Sequence, residues 1–358
     1  MLLTRRVLKW SAALTIALSS AFVAVAAGSA VANGGASDVA PVSSLRVVSE
    51  VETHASTYRL TYDSTRQAIW FVDEENTGPA TLFSFDTTTS TLSSWQLPDA
   101  SYNGFLSEAE VAPDGSIWVT EPYRLIRVDP TLNTVANLDL SLTVDQALPG
   151  AYDPDGPMPG TWISGITFWN NHVVVARNNV PYLSVFSADF AQLPSIPVPA
   201  QFAGSLGLGV DVDNELVLLS GLLSEGTVAK LGAAMQTDLA PQSALRLRQV
   251  GEQVLLTGGD SGYGDPSNVA DGLGAGPEDR DYPTPTGGYA VYSLHGRDIS
   301  VIRGGSVVAR MPLPVAEGEA HGVRVVTSPE VTDLVVDDSG VIWYFDLGRG
   351  TLVGLVQS

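Results

Sequence analysis

The chain has 358 residues, with 18 Lys and Arg against 39 Asp and Glu, a formal net charge of −21 and no cysteine. Without cysteine there is no disulfide framework, no thiolate zinc site and no cysteine nucleophile. The acidic balance, with lysine only at Lys9 and Lys230, lacks the clustered cations that phosphate backbones demand, so no nucleic-acid partner is expected. Hydrophobic residues make up 44% of the chain, enough to bury a core.

Residues 1–32 read as an export signal. Arg5, Arg6 and Lys9 give a positive start, the run from Trp10 to Ala27 carries no charge, and Ala30-Val31-Ala32 fits a small-residue cleavage site. Cleavage near Ala32 removes three positive charges and no acid, taking the net charge from −21 to −24. The stretch Thr4–Lys9 also resembles a twin-arginine signal. The expected location is therefore extracytoplasmic, with no membrane span left after cleavage. Residues 33–44 are Gly-, Ser- and Ala-rich and read as a flexible leader.

From residue 45 onward, period-2 apolar runs are bounded by Gly, Asp, Asn and Pro, and no segment sustains a 3.6-residue period. The all-β unit repeats. RLTYDSTRQAIWFVDEE (59–75), SEAEVAPDGSIWVTEP (107–122), SGITFWNNHVVVARNN (164–179), LGLGVDVDNELVLLSG (206–221), LRLRQVGEQVLLTGGD (245–260) and EVTDLVVDDSGVIWYFDL (330–347) each read as strand, polar turn, strand. Aligned on the second strand, the anchors Trp70, Trp118, Val174, Val217, Leu255 and Trp343 are spaced by 48, 56, 43, 38 and 88 residues. Segments 80–98, 123–140 and 181–199 follow the first three hairpins with two more strands each.

Four antiparallel strands in 40–50 residues make the blade of a β-propeller. Residues 45–358 are read as one propeller domain. SLRVVSEVET (44–53) is expected to supply the outer strand of the last blade, whose own segment 330–358 holds three. Six blades are preferred, the fifth carrying a long loop at 260–287 and the strands that follow it. Seven is the alternative, because 88 is twice 44. A monomer is expected.

The phrase AEVAPDGSIWVTEPYRLIRVDPTLNTV (109–135) carries a resemblance. Ala112-Pro113-Asp114-Gly115, Ile117–Glu121 and Arg127-Val128-Asp129-Pro130 resemble the repeat of the streptogramin (virginiamycin B) lyase-like propellers. The first unit matches through Ile69–Glu74 and the last through Asp338–Gly340 and Ile342–Tyr344. The related gluconolactonase (SMP-30) propellers share much of the pattern.

In a propeller, the ends of second strands and the starts of first strands gather on one axial face. This points to Glu74, Glu121, Arg177 and Asp346 as ligand-binding positions. Carboxylates converging there would repel unless a cation such as Mg²⁺ or Ca²⁺ bound them. The lactonase-type relatives hold one divalent ion with carboxylate and Asn ligands, which implies Glu108, Glu110, Asn178 and Asp260 as its ligands here. The lyases use a His base beside a metal-binding Glu, which implies His321 with Glu319, in what reads as a loop before the last blade. Two functions stay open: a ligand-binding propeller without catalysis, and a metal-dependent lyase or lactonase that opens a cyclic ester.

Overall fold

The repeats fold as hairpins because alternating apolar residues run into turns where a carboxylate replaces missing backbone partners. In the computed structural model, Asp114 accepts from the Ser116 amide at 2.9 Å, and Asp337 accepts from Ser339 and Val341 at 2.9 and 3.0 Å. Gly115 and Gly340 close these turns at φ of +82° and +84°, a backbone region where a Cβ is strained. The structure describes residues 42–73, 80–97, 107–129, 131, 135–140, 163–178, 180–198, 205–220, 227–231, 237–241, 246–250, 253–257, 282–293, 297–313, 316–320, 323–327 and 331–358. All of them belong to one compact unit, Ala40–Ser358.

The strands are β1 (Ser43–Glu52), β2 (Thr61–Asp63), β3 (Ala68–Asp73), β4 (Thr81–Asp86), β5 (Thr91–Gln96), β6 (Glu108–Val111), β7 (Ile117–Glu121), β8 (Arg124–Val128) and β9 (Val135–Asp139). There follow β10 (Ile163–Trp169), β11 (His172–Arg177), β12 (Tyr182–Phe186), β13 (Gln192–Pro197), β14 (Ser205–Val210), β15 (Leu216–Ser220), β16 (Thr227–Leu231), β17 (Thr237–Pro241), β18 (Arg246–Val250) and β19 (Gln253–Thr257). The last are β20 (Tyr282–Pro283), β21 (Tyr289–Ser293), β22 (Asp298–Arg303), β23 (Ser306–Pro312), β24 (Ala316–Ala320), β25 (Val323–Thr327), β26 (Val331–Val336), β27 (Ile342–Asp346) and β28 (Thr351–Gln357).

Strands β2–β5, β6–β9, β10–β13 and β14–β17 form four-stranded antiparallel sheets, each in chain order, and β18–β19 and β24–β25 form two-stranded hairpins. An eight-stranded sheet runs β20-β21-β22-β23-β1-β28-β27-β26. In it, β1 lies antiparallel to β28 from Leu45 to Glu52 and touches β23 in parallel only at Ser43 and Ser44. No helix occurs among the described residues, so none there is long and apolar enough to cross a membrane.

Three expectations change. Strands β21–β23 do not extend the β18–β19 sheet; with β20 they form one half of the eight-stranded sheet that β1 and β26–β28 complete. β20 was hidden in the expected loop because a two-residue strand ending in proline has no alternation to read. The segment around Glu319 is not a loop but strand β24, with Glu319 opposite Arg324 of β25. Its Glu-Gly-Glu sequence is a poor strand former, so pairing with the Val-rich β25 decides its conformation.

The core lies between sheets. Trp343 meets Phe85 of the first sheet edge-on at 4.9 Å, and Trp118 meets Phe190 of the third at 5.1 Å. Trp70, by contrast, stacks on Trp95 of its own sheet at 5.8 Å. Trp118 and Trp343 place their indole N–H on Ser116 Oγ and Asp337 Oδ2, both at 2.9 Å. Trp70 Nε1 is buried without a partner, because the corresponding Asp63 is occupied by Arg66 and the Thr65 amide.

Candidate functional site

The first strands of successive sheets enclose a cavity of about 220 Å³. Its wall is built from Arg59–Tyr62 at β2, Glu108, Glu110 and Val111 of β6, Gly165–Phe168 of β10, Gly207 and Leu208 of β14, Leu247 and Val250 of β18, and Tyr282 of β20. Close approach at one side depends on glycine: a Cβ on Gly207 would lie 2.9 Å from Leu247 Cβ. Polar groups gather at the β2–β6 side, where Arg59 Nη1 lies 2.6 Å from Glu108 Oε2. The opposite wall, from Ile166 through Leu208 to Leu247, is largely apolar.

Charged side chains are also buried where second strands end. Asp73, Glu121, Arg177 and Asp346 are the final residues of β3, β7, β11 and β27, at 4%, 3%, 5% and 1% relative exposure. Their surroundings differ. Asp73 accepts from the Ser56 amide at 3.0 Å, and Asp346 Oδ2 accepts from Arg349 Nε at 2.5 Å while Oδ1 has no partner. Glu121 stands opposite Arg124 in the β7–β8 register. Its Oε1 is nevertheless unbonded, as is Arg124 Nη1. Burial pushes the Glu121 carboxyl up to about 7, with the Arg124 charge opposing.

The structure therefore divides the residues singled out in the sequence. Glu108 and Glu110 share the cavity wall. Glu121, Arg177 and Asp346 occupy equivalent strand ends in three different sheets, and buried Asn178 follows Arg177. Glu319 lies on β24, while Glu74, Asp260 and His321 fall outside the described residues.

Glu108 is already neutralised by Arg59, and among the described residues no three His, Asp or Glu side chains gather closely enough to hold a metal ion. The described residues thus do not by themselves compose a centre for Mg²⁺ or Ca²⁺. Arg59, Tyr62 and Tyr282 were missed in the sequence. Arg59 could have been found, since it precedes a first strand as Glu108 begins one; the tyrosines carry no pattern that separates them from core.

No protein family matches the sequence, and no curated protein does. Similarity is found among solved structures. A streptogramin B lyase structure superposes with a TM-score of 0.51 at 13% identity, over 88% of this chain and 98% of that one. Hydrazine synthase of Kuenenia stuttgartiensis gives 0.54 at 12% identity, over 86% and 97%. A gluconolactonase-family propeller gives 0.48 at 11%, over 88% and 92%. At such identities the likeness shows the fold, a β-propeller, and not the reaction.

Proposed function

We propose that the protein is an extracytoplasmic β-propeller that binds a small ligand on its axial face without transforming it. The observation that carries this reading is the cavity, with an Arg59–Glu108 pair and Glu110 on one side and an apolar wall on the other. A few fixed polar groups against an apolar surface is the usual make-up of a small-molecule site. At about 220 Å³ it falls below the roughly 300–1,000 Å³ of drug-sized pockets, so the ligand is a small metabolite or one end of a longer molecule.

The sheets are read as seven blades in a closed ring, which prefers the alternative count. The β18–β19 hairpin is the inner pair of the fifth, β24–β25 is an insertion, and β1 is the outer strand that closes the last. In support, the first strands β2, β6, β10, β14, β18 and β20 line one cavity, and β26 packs against both β20 and β2.

The second reading is a divalent-metal-dependent lyase or lactonase that opens a cyclic ester, with Mg²⁺ or Ca²⁺ at the axial face. It draws on the likeness to the streptogramin B lyase structure and on the buried carboxylates Glu108, Glu121 and Asp346.

One experiment separates the two. A fragment set that includes lactones and cyclic depsipeptides is tested by thermal shift against residues 33–358 and against Thr61→Trp, which fills the cavity. Stabilisation lost in Thr61→Trp, with the ligand recovered intact, supports binding. Recovery of a ring-opened product only when Mg²⁺ or Ca²⁺ is present moves the lyase reading first. A hit unaffected by Thr61→Trp removes the cavity as the site.

A further inference from the structure

Among the described residues, the cavity carries charges of both signs on one side and no charged residue on the other. Arg59, just before β2, and Glu108, the first residue of β6, meet there from neighbouring sheets at 2.6 Å, with side chains 20% and 5% exposed. Both are fixed from behind. Thr57 Oγ1 donates to the Arg59 carbonyl at 3.1 Å, Asp333 accepts from the following amide, Leu60, at 2.8 Å, and the Glu108 amide donates to Thr120 Oγ1 at 3.2 Å. The ion pair joins Nη1 to Oε2, so it occupies one donor edge of the guanidinium and one oxygen of the carboxylate. Neither side chain has another polar partner among the described residues. Other paired arginines spread their donors, Arg66 over Asp63 and the Gly115 carbonyl, Arg310 over Asp298 and Ser300.

Glu110 stands two residues further along β6, on the same side of the strand, and is half-buried in the same wall. Across the cavity, Ile166, Leu208 and Leu247 present buried aliphatic side chains. One small space is therefore bounded by a guanidinium, two carboxylates and an aliphatic surface.

We propose that the cavity takes a single α-amino acid with an aliphatic side chain. Its carboxylate meets Arg59, its ammonium meets Glu108 and Glu110, and its side chain lies against Ile166, Leu208 and Leu247. This names the ligand class of the cavity-binding reading and rests on it. A simple anion on Arg59 would be repelled by both carboxylates, and a simple cation on Glu108 would be repelled by Arg59. A zwitterion satisfies both signs and leaves the net charge of the site unchanged. The planar guanidinium fork also matches a carboxylate in shape. At about 220 Å³, below the roughly 300–1,000 Å³ of drug-sized pockets, the space suits one amino acid and not a peptide.

The test is a thermal-shift titration at pH 7 and constant ionic strength with leucine, with leucinamide and 4-methylpentanoate, which keep only its positive or its negative charge, and with glycine, which has no side chain to bury. Wild type is compared with Arg59→Gln, Glu110→Gln and Thr61→Trp. Glu52→Gln, exposed on β1 and outside the cavity wall, is the control. The expected result is a rise in Tm of several degrees with leucine, matched by either analogue or by glycine only at roughly tenfold higher concentration or more. The rise is abolished in Arg59→Gln and Thr61→Trp, needs at least about fivefold more leucine in Glu110→Gln, and is kept in Glu52→Gln. Arg59→Gln leaves buried Glu108 without its counter-charge, so Arg59→Gln/Glu108→Gln takes its place if the single variant does not fold. Leucinamide or 4-methylpentanoate matching leucine, or a leucine shift kept when Arg59 is replaced, overturns the proposal. No leucine shift, while the fragment set still yields a hit lost in Thr61→Trp, also overturns it and leaves cavity binding standing. A leucine shift that survives Thr61→Trp, or no hit of any kind lost in that variant, overturns both.

Discussion

Glu121 and Asp346 end equivalent strands, three residues before an arginine in both cases, yet their chemistry diverges. Arg349 Nε reaches Asp346 at 2.5 Å, whereas Glu121 and Arg124 face each other across the register with Glu121 Oε1 and Arg124 Nη1 both unbonded. The consequence can be measured. With a folded pKa near 7 against an ordinary 4.5, the folded state resists ionisation that the unfolded chain accepts. This group costs nothing below about pH 4.5, and its cost grows as pH rises to about 7, reaching at most about 3 kcal/mol. Glu121→Gln should therefore be more stable than wild type at pH 8 and equal to it at pH 4, by urea unfolding. A constant difference across that range would show that burial does not hold the proton. The sequence placed Glu121 at a strand end by its offset from Ile117-Trp118. Its protonation was not readable, because desolvation is set by neighbours distant in the chain.

Among the elements, β1 is the most consequential for its length. It begins the described chain yet pairs along β28 at the end, and its only deeply buried apolar side chain is Leu45, at 5% exposure. Val47 and Val48 stay 44% exposed, so the strand is held by backbone pairing and one anchor. Leu45→Ala should cost about 2–5 kcal/mol, the usual range for truncating a buried leucine. It should also raise the rate at which a protease cuts within residues 43–52. Unchanged stability and protection would mean that β1 does not hold the β26–β28 strands in place. The alternation in 44–53 pointed to a strand, and β1 pairs along β28. β20 and β24 were not legible, since a two-residue strand and a Glu-Gly-Glu strand exist only through their partners β21 and β25.

For the molecule as a whole, the question is whether the acidic face is neutralised by an ion or by the chain itself. Arg59 on Glu108 and Arg349 on Asp346 favour the chain. The melting temperature of residues 33–358 is therefore expected to be the same in EDTA and with added Mg²⁺ or Ca²⁺. A cation at about a hundred times its dissociation constant would instead stabilise by roughly 2.7 kcal/mol. An upward shift selective for one ion would put the metal-dependent lyase first.

Repetition made the all-β architecture readable by itself. Strand alternation and the recurring Asp-Gly turn and Ile-Trp pair are local patterns, and a hairpin needs only local chemistry. The same offsets brought Glu108, Glu110, Glu121, Arg177 and Asp346 to notice, because equal positions in repeats fall at equal places in sheets. Tertiary structure alone decided which charges meet. Arg59 neutralises Glu108 from a neighbouring sheet, Arg177 is left without an acid, and strands β20–β23 join β1 and β26–β28 in one sheet. Pairing of charges, burial and cavities depend on residues tens to hundreds of positions apart, and no local pattern encodes them.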